Sequence, residues 1–279
     1  MKATLKKIWN WFTSVLYAIG DTIQHTQNPP EPEPEPTWTK EGSFALVIAH
    51  DYLRDTYPVY TTNKIKEMFE TESAGTVKFV VDADATAEAL LEGLREGLKY
   101  KTFYFYENAH GNNKCIRMAD RNVLAKEVWG VLKEAQNRIV GFFDSCYSGS
   151  MIVDPEGEGT REAETTTDGE TMADYLVRKF SEQVQARGEL GDEKQPQIRL
   201  YSACENGKVT TYEPESSTKF ATAILAACKK TEGQTYADFD KVLIEKGSYG
   251  NSPKIDEKYH IVPQIATYGV DFSEYERLR

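Results

Sequence analysis

From Ser43 onward the chain alternates short, continuous apolar runs with longer stretches whose apolar residues recur every three or four positions. The short runs, at 44–49, 76–81, 102–106, 138–143, 197–202 and 262–267, are rich in β-branched and aromatic residues and have the length of strands buried on both faces. The longer stretches predict helices over 63–70, 86–99, 121–136, 171–184, 217–229 and 236–245. Asp84 or Thr86 stands where a side-chain cap would open the second of these helices. Because strand and helix alternate, the fold class is α/β, with a mostly parallel six-stranded sheet flanked by helices. The segment between Asp154 and Gly169 is acidic, threonine-rich and without period, and reads as an exposed loop.

The first part of the chain has a different pattern. Leu5, Ile8, Trp9, Phe12, Leu16, Ile19 and Ile23 fall on one helical face, so residues 1–24 predict an amphipathic helix. Its apolar stretch is too short for a comfortable membrane span of about 20 residues. An interfacial or partner-docking helix, a secretory signal within residues 1–20, and a helix packed on the following domain all fit. Residues 25–42 contain Asn28-Pro29-Pro30-Glu31-Pro32-Glu33-Pro34-Glu35-Pro36, whose prolines fix φ and whose glutamates repel, giving a stiff spacer. Residues 43–279 then form the main domain.

Composition narrows the possible partners. The 279 residues carry a formal charge of −11, 44 acidic against 33 basic, which argues against a nucleic-acid partner, since that would call for a basic patch. Cys115, Cys146, Cys204 and Cys228 are widely spread, without CxxC or Cys/His ligand spacing, so neither a disulfide framework nor a zinc site is expected. Free thiols fit a reducing, cytoplasmic compartment, with membrane association through residues 1–24 or secretion as the alternatives.

Ligands of open parallel sheets gather off the carboxyl ends of the strands. Two strand ends here carry reactive groups. The strand over 102–106 runs into Glu107-Asn108-Ala109-His110-Gly111, and the strand over 138–143 into Asp144-Ser145-Cys146-Tyr147-Ser148-Gly149-Ser150. A free thiol is mostly protonated at neutral pH, so a nucleophilic Cys146 needs a base, which His110 supplies if the two strands are neighbours. Gly111 and Gly149 let the backbone approach a substrate, and the amides of Gly111 and Cys146 are candidates for an oxyanion hole. Taken singly, Cys146 also reads as a small buried apolar residue and His110 as a structural hydrogen-bonding group. His50, at the end of the first strand, is a weaker candidate base, while His25 and His260 read as structural or solvent-facing. Cys204 is expected beneath the pocket, and Cys115 and Cys228 need no function.

An apolar strand entering His110-Gly111 and another entering Asp144-Ser145-Cys146-Tyr147-Ser148-Gly149 resemble the paired signatures of the caspase-like superfamily of cysteine peptidases. That superfamily includes metacaspases and their prokaryotic relatives, clostripain-like peptidases and, more distantly, legumains and caspases. The resemblance covers about residues 43–270, including Asp82-Ala83-Asp84-Ala85-Thr86 and Leu200-Tyr201-Ser202-Ala203-Cys204. The chain departs from the caspase signature at Asp144, where that pattern has Gln, and from metacaspases at Ala109 and at Glu205-Asn206-Gly207. The resemblance implies a caspase-hemoglobinase-like three-layer sandwich and an endopeptidase with His110 and Cys146 as catalytic dyad. No cofactor is needed for that chemistry, no metal is expected, and calcium dependence is left open.

Asp144 stands two positions before Cys146, so on a strand the two side chains share a face, and a carboxylate there suits a cationic substrate residue. The resemblance likewise implies cleavage after Arg or Lys; a structural Asp capping the turn is the alternative. Glu205 and Asn206 are candidates for the other pocket wall. Arg161, in the acidic loop, is a candidate autoprocessing site for an enzyme that prefers basic residues. Two other functions remain open: a catalytically silent scaffold recruited by residues 1–24, and legumain-like transfer of the acyl group to an amine.

Overall fold

Side chains along each central strand alternate between two apolar layers, which is why the strands read as unbroken hydrophobic runs. Leu46, Ile48, Phe103, Phe105, Ile139 and Phe143 pack into one layer, and Ala45, Val47, Tyr104, Tyr106, Val140 and Phe142 into the other. The computed structural model describes residues 39–50, 57–72, 75–153, 196–210, 212–213, 217–231, 234–249 and 261–269. The amphipathic segment 1–24, the proline-rich spacer, the acidic loop with Arg161, the helix expected over 171–184, and His25 and His260 lie outside them.

Eleven strands and five α-helices are formed among the described residues. In chain order they are β1 (Lys40–Ala49), α1 (Tyr57–Glu72), β2 (Thr76–Val81), α2 (Ala87–Gly97), β3 (Tyr100–Asn108), β4 (His110–Asn112), β5 (Cys115–Arg117), β6 (Asn122–Leu124), α3 (Ala125–Leu132), β7 (Arg138–Asp144), β8 (Gln197–Ser202), β9 (Tyr212–Glu213), β10 (Ser217–Thr218), α4 (Lys219–Lys230), α5 (Tyr236–Gly247) and β11 (Gln264–Gly269). The main sheet has the order β11-β8-β7-β3-β1-β2. Five strands are parallel and β11 is antiparallel to β8, so the expected six-stranded, mostly parallel sheet is formed. Residues of α2 and α3 cover one face and residues of α1, α4 and α5 the other.

Local chemistry sets the helix starts. The Thr86 hydroxyl accepts from Ala89 N at 3.1 Å, Thr218 from Ala221 N at 3.0 Å and Thr235 from Asp238 N at 3.3 Å. Of the two capping candidates for α2, Thr86 is therefore the one used.

The helix expected over 121–136 is shorter than its pattern suggested. Its first residues form β6, the third strand of a small antiparallel sheet, β4-β5-β6. These three-residue strands are too short to show a period of two, and Lys114 closes their first turn with a left-handed φ of 61°.

The centre of β7 is a tight point. A Cβ added at Gly141 would lie 2.1 Å from the Phe105 ring and 2.9 Å from Leu200 Cδ2. Gly141→Ala is therefore expected to lower stability by about 1–3 kcal/mol, the range for overpacking a core. Urea unfolding measures this, and an unchanged midpoint would show that Phe105 yields freely.

Candidate active site

The register of β3 against β7 aligns Asn108 with Asp144. The side-chain amide of Asn108 donates to the Asp144 carbonyl at 3.1 Å, and the Asn108 carbonyl accepts from His50 N at 3.0 Å. Three neighbouring strand ends are thus tied together. Two residues past each partner of the aligned pair come His110 and Cys146.

The chains then converge further. A Cβ on Gly111 would lie 1.9 Å from the Cys146 carbonyl oxygen and 3.0 Å from Ser145 Cβ, so only glycine allows this approach. The structure thus brings the backbone next to His110 onto the backbone of Cys146, as the pairing of the two motifs predicted. Both His110 and Cys146 are half-buried.

Cys146 sits at the start of a sharp turn. Tyr147 adopts a left-handed φ of 59°, Ser150 N donates to the Tyr147 carbonyl, and residues 148–150 form one 3₁₀ turn. The turn is held on two sides. Tyr147 N donates to the Lys208 carbonyl at 2.9 Å, and Ser150 Oγ accepts from Lys114 N at 2.9 Å. Gly149 was expected to leave room for a substrate; a Cβ there would instead lie 2.5 Å from Asn206 N, so the glycine admits the 205–206 turn.

The sulfur of Cys146 faces backbone amides. Burial raises the thiol above its ordinary range and the charge of Asp144 adds to this, while the amides of Thr210 and of Cys146 itself favour the thiolate. Burial is the largest influence, so the resting group is a thiol. Cys204 packs beneath it, 3.6 Å from the Ser145 carbonyl and 3.4 Å from that of Lys208, and burial pushes it up to about 11. That agrees with its expected place under the pocket.

Asp144 lies on the same face as Tyr106 and is 1% exposed. Its Oδ2 accepts from the Tyr106 hydroxyl at 2.6 Å and from the hydroxyl of Thr218. Burial pushes the carboxyl up to about 6, against the hydrogen bonds from Thr218, Tyr106 and Asn108. Its Oδ1 is buried without a hydrogen bond. At this end of the sheet, further buried atoms without one are Oε1 and Oε2 of Glu107, Oδ1 of Asn108, Oγ of Ser145 and Oγ1 of Thr210. All of these sit at the ends of β3 and β7 or against Cys146. Buried polar groups are ordinarily satisfied, so Oδ1 of Asp144 and Oδ1 of Asn108, both on the face of Tyr106, offer a ligand's polar atoms a place, whereas Glu107 and Ser145 lie on the opposite face.

The remaining candidates divide. Glu205 is half-buried and its Oε2 accepts from Val262 N at 3.1 Å, which commits one carboxylate oxygen to the chain itself. Asn206 is exposed on the turn that packs against Gly149. His50 is 8% exposed, with Nδ1 3.3 Å from the Asp82 carbonyl, a group that only accepts. Its Nδ1 therefore carries a proton, and this ring is anchored between the ends of β1 and β2. Tyr106, Thr210 and Thr218 were not foreseen from the sequence. Thr218 belongs to a capping position far along the chain, and nothing in its local pattern points to Asp144. Among the described residues no helix is long and apolar enough to cross a membrane.

By sequence the chain matches no family profile and no curated protein. Its backbone does have counterparts among solved structures. Protein GSU0716 from Geobacter sulfurreducens superposes with a TM-score of 0.54 at 15% identity, over 83% of this chain and 94% of that one. Caspase-1 from Spodoptera frugiperda superposes with a TM-score of 0.51 at 11% identity, over 88% of this chain and 97% of that one. Together with the six-stranded sheet and its flanking helices, these likenesses show that the chain has the caspase-like α/β fold.

Proposed function

We propose that the chain is a cysteine endopeptidase that cleaves after Arg or Lys, with Cys146 as nucleophile and His110 as general base. The observation that carries this reading is the packing of Gly111 on the Cys146 carbonyl, which joins the two reactive strand ends.

The state of the sulfur gives the base its task. A thiol raised by burial attacks a peptide carbonyl only if its proton is removed as the bond forms, and the His110 imidazole accepts that proton. The sulfur bonds to the carbonyl carbon, the oxygen takes up the electron pair, and amides of Gly111 and Cys146 stabilise it. Collapse of this intermediate expels the amine, which takes the proton back from the imidazolium. Water activated by the neutral imidazole then hydrolyses the thioester. No metal or cofactor enters the sequence.

Asp144 supports the preference for basic residues. No lysine or arginine among the described residues acts on its carboxyl, and Oδ1 remains unspent while Tyr106 and Thr218 hold Oδ2. A guanidinium or ammonium group reaching Oδ1 would supply the missing counter-charge.

The purified full chain should hydrolyse fluorogenic peptides ending in Arg or Lys, but not those ending in Asp or Asn, and Cys146→Ala should abolish turnover. Asp144→Asn should lower kcat/KM on the Arg peptide by about 10- to 100-fold, the loss of one charge-assisted pair. In the wild type, KM for that peptide should rise as pH falls through about 6, where Asp144 takes up its proton and loses its charge, and Asp144→Asn should remove this rise. Turnover that survives Cys146→Ala, or that prefers Asp, contradicts the assignment.

The thiol itself is open to measurement. Alkylation of Cys146 by iodoacetamide, followed by peptide mass spectrometry, should show a pH midpoint above the ordinary value for free cysteine of about 8.5. A midpoint below neutrality would mean that a preformed thiolate is the resting state, and the general-base step would be lost.

A further inference from the structure

Glu107 has no task in the mechanism above, yet it stands in the apolar layer directly behind the nucleophile. It is 0% exposed, and neither carboxyl oxygen has a hydrogen bond of good geometry. By strand alternation it points to the face of Phe103 and Phe105, opposite to Tyr106 and Asp144. In the β3–β7 register it aligns with Phe143, and Ser145 follows two positions later on the same face. Ser145 is also fully buried with its Oγ unsatisfied, and its side chain is the polar group close enough to act on the Glu107 carboxyl.

A leucine would fill this position without desolvating an acid. A buried carboxyl with no counter-charge therefore calls for a reason. The geometry supplies one. Ser145 is the residue immediately before Cys146, and its Cβ is 3.0 Å from where a Cβ of Gly111 would stand. It is the wedge between the two strand ends that carry the proposed dyad.

We propose that Glu107 is a positioning residue, which holds Ser145 from behind and thereby fixes the Cys146 peptide against Gly111. Burial, reinforced by the charge of Asp144 on β7, raises the carboxyl well above the usual carboxylate range and so favours its neutral form. A neutral acid has one O–H to donate and one carbonyl oxygen to accept with, so it can join the Ser145 hydroxyl in either sense. Glutamine has the same shape and the same pair of capacities, whereas alanine has neither.

This inference rests on the peptidase reading, and its test separates the two. On an Arg peptide, Glu107→Ala in the full chain should lower kcat by about 10²-fold with KM within about 2-fold, the signature of a displaced reacting group rather than a lost substrate contact. Glu107→Gln should restore kcat to within about 3-fold of the wild type, since it keeps the hydrogen-bonding pair that Ser145 needs. Should the alanine variant not fold, Ser145→Ala removes the other partner and should give the same fall in kcat alone. Equal losses for Glu107→Gln and Glu107→Ala, a change confined to KM, or wild-type kcat in Ser145→Ala would overturn the proposal.

If the wild type shows no cysteine-dependent turnover, the peptidase reading fails by itself, and the rate of Cys146 alkylation by iodoacetamide at fixed pH becomes the readout. Glu107→Ala and Ser145→Ala should then raise that rate by about 10-fold as the turn loosens and the thiol gains exposure, with Glu107→Gln within about 2-fold of the wild type. The same rate in all four proteins would refute the positioning role.

Discussion

The parallel pairing of β3 with β7 is the constraint on which the rest of the site depends. It aligns Asn108 with Asp144, and the Asn108 amide fastens to the Asp144 carbonyl. From that fixed point each strand has two residues in which to reach His110 or Cys146. A slip by one residue would turn every side chain of β7 to the opposite layer, moving Asp144 away from Tyr106 and Ser145 away from Glu107. Register is defended by burial on both faces, because Ile139 and Phe143 belong to one core and Val140 and Phe142 to the other. Gly141, in the middle, admits the Phe105 ring between the strands.

The polar groups at this strand end are held against the preference of an apolar interior. Asp144 is desolvated enough to titrate near 6, and burial together with the charge of Asp144 raises Glu107 well above the usual carboxylate range. On the proposed reading, a positive group docks on the side of Asp144, while on the side of Glu107 burial favours the neutral acid. The two faces of one sheet separate these roles. Tyr106, kept protonated by burial, and Thr218, which also caps α4, then fix the direction of the Asp144 carboxylate.

Much of this was legible in the sequence because buried parallel strands announce themselves as continuous apolar runs. The main-sheet strands lie where the runs at 44–49, 76–81, 102–106, 138–143 and 197–202 put them, and the last is shifted only slightly, to Gln264–Gly269. The pairing of His110-Gly111 with Asp144-Ser145-Cys146 was visible for the same reason, since each motif ends such a run. The small β4-β5-β6 sheet was hidden, because three residues cannot display a period and Ala125–Leu132 continues the apolar pattern of β6 into a helix. The partners of Asp144 were hidden for another reason. Thr218 is brought to it by the return of the chain into α4, a tertiary contact without a local signature. Glu205 was a candidate pocket wall from its place past the end of the 197–202 strand, and a backbone amide at Val262 claims one of its oxygens, a contact without a local signature.

The central claim is that Cys146 attacks a carbonyl whose side chain is held by Asp144. A peptidyl-arginine chloromethyl ketone tests both parts at once, because it alkylates only a nucleophile beside which its guanidinium has docked. Incubated with the full chain, it should add one inhibitor mass to the Cys146 peptide and to no other. Crystallography of the adduct should show the guanidinium within hydrogen-bonding distance of Asp144 Oδ1, at about 2.7–2.9 Å. Labelling of another cysteine, or an arginine side chain directed away from Asp144 into solvent, would contradict the account.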